Sequence, residues 1–379
     1  MEHERIWLSL AEMGGGEQKY IDEAFRTNWV VPLGPNVSGF EGDLRSFLGG
    51  DHPVVALSAG TAALHLGLVM LGVERDDEVI CQSFTFSASA NPIVYQGARP
   101  VFVDSEPDTW NMSPTLLEEA IEDRIRSTGK RPKAIIPVHL YGMPAKMDEI
   151  LAIANKYEIP VLEDAAEALG SEYKGKKCGT LGRFGALSFN GNKMITTSGG
   201  GALVCPDEAA AKRVMFFATQ ARDDAPHYQH SHIGYNYRLS NISAGIGRGQ
   251  MEVLEEHIRR RRENHDRYRE LMKDVSGVTV MCAPSADYDS NYWLTTVLID
   301  PEVAGFDREE LRLALDEANI ESRPLWKPMH LQPVFAEAAS YVDGTSESLF
   351  EQGLCLPSGT RVGGPEIERV VDLVRSLTR

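Results

Sequence analysis

Over its first two-thirds the chain repeats one pattern: a short, nearly continuous run of apolar and β-branched residues, a stop of small or acidic residues, then a helix-like stretch. VVAL (54–57) leads through SAGT into TAALHLGLVML, DEVICQ (77–82) precedes FTFSASANPIVYQG, and RPVFVD (99–104) ends on an acid. KAIIPVHLYG (133–142) precedes a helix around 147–157, followed by IPVLED (159–164), GALSFN (185–190) and GALVC (201–205). Strands of this kind are apolar on both faces, so the pattern predicts a mostly parallel sheet with helices on each side, an α/β fold. Ligands of such sheets sit beyond the carboxyl ends of the strands. That places Asp104, Asp164 and Asn190 at informative positions.

After about Gln250 the texture changes. MEVLEEHIRRRRENHDRYRELMKDV reads as a long charged helix, NYWLTTVLI (291–299) as a strand and REELRLALDEANI (308–320) as a helix. ESRPLWKPMHLQPVF (321–335), rich in proline and aromatics, reads as a loop closing over something. The expected organisation is a large domain, 1–250, and a smaller α+β domain, 251–379. A chain of 379 residues is long enough for both cores, since one of this size buries roughly 75% of its unfolded surface.

Composition narrows the class. With 38 Lys+Arg against 55 Asp+Glu the net charge is −17, which disfavours nucleic acid and anionic lipid as partners. The N-terminal MEHERIWLSLAEMGGG carries charges where an export signal needs an apolar stretch. From Pro53 to Val73 no charged side chain occurs, but Ser58, Gly60, Thr61, His65 and Gly67 interrupt the run. A strand, turn and helix fit it better than a membrane span. Five scattered cysteines without a CxxC pair indicate reduced thiols, a cytoplasmic location and no zinc site.

Three segments carry chemistry. In GALSFNGNKMITTSGGGALV, Lys193 follows a strand end among small neutral residues, with no acid nearby in sequence. A desolvated lysine there is an amine nucleophile towards a carbonyl, and the plain alternative is a surface lysine in a turn. In IPVLEDAAEALGS, Asp164 leaves a strand and enters a small-residue helix. It suits either a pyridinium nitrogen or an ordinary N-cap. In LSAGTAALHLG, a strand turns through Ser58-Ala59-Gly60-Thr61 into a helix start whose free N–H groups and hydroxyl suit a phosphate. Together these describe a ligand with a phosphate, an aldehyde and a basic ring nitrogen. Pyridoxal 5′-phosphate has all three.

The succession SAGTAALHL, SFTFSASAN, FVDSEPDTWNM, EDAAEALGS, LSFNGNK, TTSGGGALV and GYNYRLSNISAGIG resembles the DegT/DnrJ/EryC1/StrS family of sugar aminotransferases, from about Ile6 to about Pro357. The resemblance implies a fold-type I, aspartate aminotransferase-like, pyridoxal-phosphate-dependent transferase. It also implies L-glutamate as amino donor, a nucleotide-linked 4-keto-6-deoxy sugar as acceptor, and a homodimer with shared active sites. Within the family, SFNGNK followed by TTSGGG looks most like the transaminases making UDP-4-amino-4,6-dideoxy-N-acetylglucosamine on the bacillosamine route. GDP-perosamine synthases carry a similar lysine segment, and a 3-keto sugar acceptor or a cofactor-bound regulator are further alternatives.

Position by position, the resemblance makes Lys193 the covalent anchor of the cofactor and the proton shuttle. Asp164 is the partner of the ring nitrogen, and Phe86 stacks on the ring. Thr61 and Ser188, with the backbone of Gly60, bind the phosphate, and Asn236 reaches it from the neighbouring subunit. Glu167 stands where relatives often carry Gln or His beside the phenolic oxygen. Either it is protonated when that oxygen is ionised, or it contacts the sugar. Lys193 itself separates the chain from the dehydratase-like branch, which carries His there. Arg238, with nearby basic groups, is expected to line the pocket and offset the acidic charge. Trp326, Lys327 and His330 are candidates for holding the sugar nucleotide, with ordinary loop packing as the alternative.

Three further features take plainer readings. His227, His230 and His232 lack the carboxylate or cysteine set of a metal site, and substrate phosphate contact is the better functional reading of that loop. IRRRREN (258–264) sits among acids and reads as a salt-bridged helix face. The glycines of SAGIGRGQ (243–250) follow no strand, so they indicate close helix packing rather than a dinucleotide fingerprint. NWVVPLGPNVSGFE (28–41) resembles the family's substrate-side loop.

Overall fold

The computed structural model describes residues 4–378. Two four-stranded sheets form the larger part. In one, strands Val54–Leu57, Gly201–Val204, Phe184–Ser188 and Leu162–Asp164 lie side by side; in the other, Ala339–Tyr341, Arg99–Val103, Glu78–Gln82 and Ala134–Ile136. Parallel bridges Ile135–Val161 and Val138–Asp164 join the two into one surface. Gly201–Val204 runs antiparallel to both its neighbours, while the other pairings are parallel. The carboxyl ends of the parallel strands therefore gather along one edge, as this sheet class requires.

The uncharged Pro53–Val73 stretch is strand Val54–Leu57 and helix Gly60–Met70. The helix is buried on nearly every side, in the core it shares with strands 79–81 and 184–186 and helix Glu208–Ala218. Burial all round explains why it has no polar face. Each fully buried leucine there contributes roughly 1.5–3 kcal/mol. Among the described residues no helix is long and apolar enough to cross a membrane. The opposite face of the sheet is covered by helices Pro35–Phe47 and Asn241–Met251, and helices Pro114–Thr128 and Met147–Lys156 pack farther along.

The SAGIGRGQ glycines lie in helix Asn241–Met251 and let it press against the helices at 17–26 and 35–47. A Cβ on Gly249 would sit 2.5 Å from the Glu17 backbone. The long charged helix is broken: one helix ends at Met251 and the next spans Leu254–Met272. The strand expected over 291–299 begins only at Thr295, because the Asn291 side chain bonds the carbonyls of Glu167 and Leu169 and bends the chain before it. The helix expected over 308–320 ends at Glu317, where Asn319 turns left-handed with φ 61°.

A separate sheet of Val278–Val280, Thr295–Ile299, Gly353–Leu356 and Arg323–Pro324 carries the C-terminal core with helices Leu254–Met272, Arg308–Glu317 and Gly364–Leu377. Ile6 is buried in that core, and Ala339–Tyr341 pairs with the edge of the large sheet. Asp104 secures that edge by accepting the N–H groups of Asp343, Gly344 and Ser346 at 3.0–3.1 Å.

Candidate active site

The edge where the strands end opens into a cavity of about 250 Å³ lined by Gly60, Thr61, Phe86, Asp164, Glu167, Ser188, Lys193 and Trp326, with Trp293 among the remaining walls. Eight of the twelve candidate residues thus share one space, though they come from widely separated parts of the chain.

Asp164 closes its strand with the carboxylate buried. Ser89 Oγ donates to Oδ2 at 2.6 Å, and Ala166 N–H to Oδ1 at 3.1 Å. Thr85 shares a hydrogen bond with Ser89 at 2.7 Å, so a short hydroxyl chain fixes the acid's rotamer. A carboxylate has about four acceptor positions, so these two leave capacity for a further N–H. The preceding residue, Glu163, faces the other way. It is fully buried, paired with His139 at 2.8 Å, and takes the N–H groups of Gly179, Leu181 and Gly182.

Lys193 follows strand Phe184–Ser188 in a tight turn, its N–H bonded to the Asn190 carbonyl at 3.0 Å. Its Nζ lies 3.4 Å from Glu167 Oε1 and 4.0 Å from the centre of the Trp293 ring. The acid absent from its sequence neighbourhood is supplied across the fold. Glu167 is fixed through Oε2 by the Tyr141 N–H at 2.7 Å, and Tyr141 presents that N–H from a left-handed backbone, φ 54°. Non-glycine residues adopt this conformation only where the surroundings enforce it. Burial pushes the Glu167 carboxyl above the ordinary carboxylate range, and the Lys193 ammonium holds part of that rise back.

At the other end of the cavity, helix Gly60–Met70 begins with Ala59 as its extended cap. The first-turn N–H groups of a helix have no intrahelical partner and carry the positive end of its dipole. Ser188 faces them closely: a Cβ on Gly60 would lie 2.9 Å from Ser188 Cβ and 3.2 Å from its Oγ. Only glycine leaves that gap. Phe86, half exposed, and Trp326 form the rim with ring centres 5.1 Å apart.

The other four candidates lie outside this cavity. Asn236 is bridged to Thr219 in the segment leading to helix Asn241–Met251. Arg238 points into the fold, ion-paired with Glu41 and bonded to the Ala56 carbonyl at 3.0 Å. Its charge is spent there and not on this chain's cavity. Lys327 is exposed. His330 shares a 2.7 Å hydrogen bond with Ser83 Oγ, and burial lowers its basicity. Among the described residues no group of three or more His, Cys, Asp or Glu could hold a metal ion.

Sequence reasoning missed Ser89, Tyr141 and Trp293. Ser89 lies in the already conspicuous SFTFSAS. Tyr141 and Trp293 resemble core aromatics, and no local pattern marks them.

The donors fit pyridoxal phosphate on chemical grounds. An amine faces the cavity, a rigid carboxylate has an acceptor site left, and a helix start with a hydroxyl opposite suits a phosphate. Comparison with known proteins agrees. Residues 12–375 match the DegT/DnrJ/EryC1/StrS aminotransferase family. A Bacillus subtilis (strain 168) protein named "Putative pyridoxal phosphate-dependent aminotransferase EpsN" is 53% identical, over 99% of this chain and 96% of its own. A GDP-perosamine synthase of Caulobacter vibrioides is 36% identical, over 97% of this chain and 96% of its own. The crystal structure of a DegT DnrJ EryC1 StrS aminotransferase from Brucella abortus superposes with a TM-score of 0.89 at 31% identity, covering 96% of this chain and 95% of that one.

Proposed function

This chain belongs to the DegT/DnrJ/EryC1/StrS aminotransferase family and has the fold-type I architecture. On that premise we propose that it is a pyridoxal-phosphate enzyme moving an amino group from L-glutamate to C4 of UDP-4-keto-6-deoxy-N-acetylglucosamine. The product is a 4-amino sugar for bacterial glycan synthesis, as on the bacillosamine route. It acts in the cytoplasm as a homodimer in which Asn236 serves the neighbouring site. The observation that carries the reading is the single cavity holding the Lys193 amine, the Asp164 carboxylate and the helix start at Gly60–Thr61.

Pyridoxal phosphate, when bound, supplies a carbonyl for the amine and an electron-withdrawing ring that eases loss of a proton beside it. The chain supplies the rest. Asp164, its rotamer held by Ser89 and the Ala166 N–H, would accept the ring nitrogen's N–H. Thr61, Ser188 and the Gly60 N–H would bind the phosphate, and Phe86 would cover the ring. Lys193 Nζ would anchor the cofactor and, when free of it, would move a proton between the cofactor C4′ and the substrate carbon that carries nitrogen. Such proton transfer contributes roughly 10²–10⁴-fold to rate. Glu167 offers that amine a fixed oxygen at 3.4 Å, its other oxygen being tied to Tyr141. Trp326, beside Phe86 at the rim, would meet the sugar nucleotide.

The identity of the sugar rests on the SFNGNK and TTSGGG segments. The perosamine synthase relatives support a second reading, a GDP-linked 4-keto-6-deoxy sugar as acceptor. Purified enzyme with L-glutamate would be offered each keto sugar, with products read by mass spectrometry. Amination of the UDP-linked sugar at a kcat/KM at least about tenfold above the GDP-linked one supports the first reading, and the reverse preference replaces it with the second.

A further inference from the structure

The run IRRRREN meets its expected role at three of its four arginines. Arg259 and Arg260 pair with Glu256, and Arg262 with Asp289. Arg261 departs from it. Its side chain is 2% exposed and makes no ion pair among the described residues. A buried, unpaired guanidinium is costly, and this one binds two neutral acceptors: Nη1 donates to the Trp293 carbonyl at 2.5 Å and Nη2 to Ser9 Oγ at 3.0 Å. Ser9 Oγ and Trp293 Nε1 both donate in turn to the carbonyl of Asn192, each at 2.7 Å. Asn192 is the residue before Lys193. Trp293, 1% exposed, also lays its ring under the Lys193 amine at 4.0 Å and stacks at 17° on Tyr141.

We propose that Trp293, locked by Arg261, is a positioning residue for the Lys193 amine: its N–H fixes the turn that carries the lysine, and its ring face holds the ammonium. The ring attracts a cation but cannot take its proton. It therefore steadies Nζ while leaving Glu167 as the proton-accepting neighbour. The inference rests on the reading of Lys193 as the reacting amine.

The test uses Trp293→Phe, which keeps a ring face and loses the N–H, Trp293→Leu, which loses both, and Arg261→Lys, which cannot reach both acceptors. In cofactor-free protein, reductive methylation of Lys193 is followed by mass spectrometry, with the other lysines as internal reference. Trp293→Leu is expected to methylate about 3- to 30-fold faster than wild type, the span of a partly desolvated cation–π contact. Trp293→Phe stays within about twofold. After reloading with pyridoxal phosphate, the single-turnover rate with L-glutamate should fall about 30-fold for Leu and about threefold for Phe and for Arg261→Lys. The half-saturating donor concentration should stay within about twofold throughout. Equal behaviour of Phe and Leu, or wild-type methylation in Leu, overturns the role of the ring. If Leu does not fold, Phe and Arg261→Lys decide: wild-type turnover in both overturns the proposal. Failure of wild-type Lys193 to capture the cofactor at all would instead refute the lysine reading itself.

Discussion

Glu167 and Lys193, 26 positions apart in sequence, meet with Oε1 and Nζ at 3.4 Å inside the cavity. Because burial raises the Glu167 carboxyl above its ordinary value of 4.5, the folded chain holds that proton more tightly than the unfolded chain. Its contribution to stability is present in full below about pH 4.5 and is lost as pH rises through the raised value. Cofactor-free Glu167→Gln should therefore melt about 1–2 °C above wild type at pH 8, with the gap closing near pH 4, while turnover falls. A lower melting temperature at pH 8 would show that the ion pair outweighs the burial.

Asp164→Asn keeps the size of the side chain and its neighbours but removes the charge. It should lower kcat by about 10³-fold or more, with little change in melting temperature. Ser89→Ala frees one carboxylate oxygen of Asp164 and should cost about tenfold. Steady-state kinetics beside thermal melts would check both, and a fully active Asp164→Asn would remove this acid from the mechanism.

Gly60→Ala puts a methyl 2.9 Å from Ser188 Cβ, and the helix start must move away. The variant should fold and bind pyridoxal phosphate about tenfold more weakly, as measured by release of cofactor on dilution. Unchanged affinity would place the phosphate elsewhere.

Asp104→Asn tests the joint between the large sheet and the 339–346 segment. Burial alone would raise this carboxyl, but the Ser346 side chain and the N–H groups of Ser105, Ser346 and Asp343 hold it below the ordinary value of 3.8. Its stabilisation is thus present above about pH 3.8 and is lost as pH falls through the depressed value. The variant should melt about 3 °C lower at pH 7, and the difference should narrow below pH 4.

Much of this was legible because it is local. Strand-then-turn patterns located Asp164, Lys193 and the Gly60–Thr61 helix start, since a parallel sheet puts every strand end on one edge. What escaped depends on contacts that no window of sequence contains. The antiparallel strand 201–204 has the same apolar composition as its parallel neighbours. Arg261 shares a run with three solvated arginines, yet its helix turns it alone inward. Arg238 reads in sequence as available to a ligand, yet Glu41, nearly 200 positions away, holds it. Trp293 is an aromatic before a strand, indistinguishable in sequence from a core residue.

The central claim is that Lys193 and Asp164 work a pyridoxal phosphate that accepts an amine from L-glutamate. The most direct test is the visible absorption spectrum of the purified protein, before and after adding L-glutamate without sugar, for wild type and Lys193→Ala. The account predicts a visible cofactor band in wild type that bleaches with glutamate as the aminated cofactor's near-ultraviolet band grows. It also predicts a folded Lys193→Ala that retains no borohydride-reducible cofactor. A wild-type protein that stays colourless with added pyridoxal phosphate, or a Lys193→Ala that still attaches it covalently, would contradict the account.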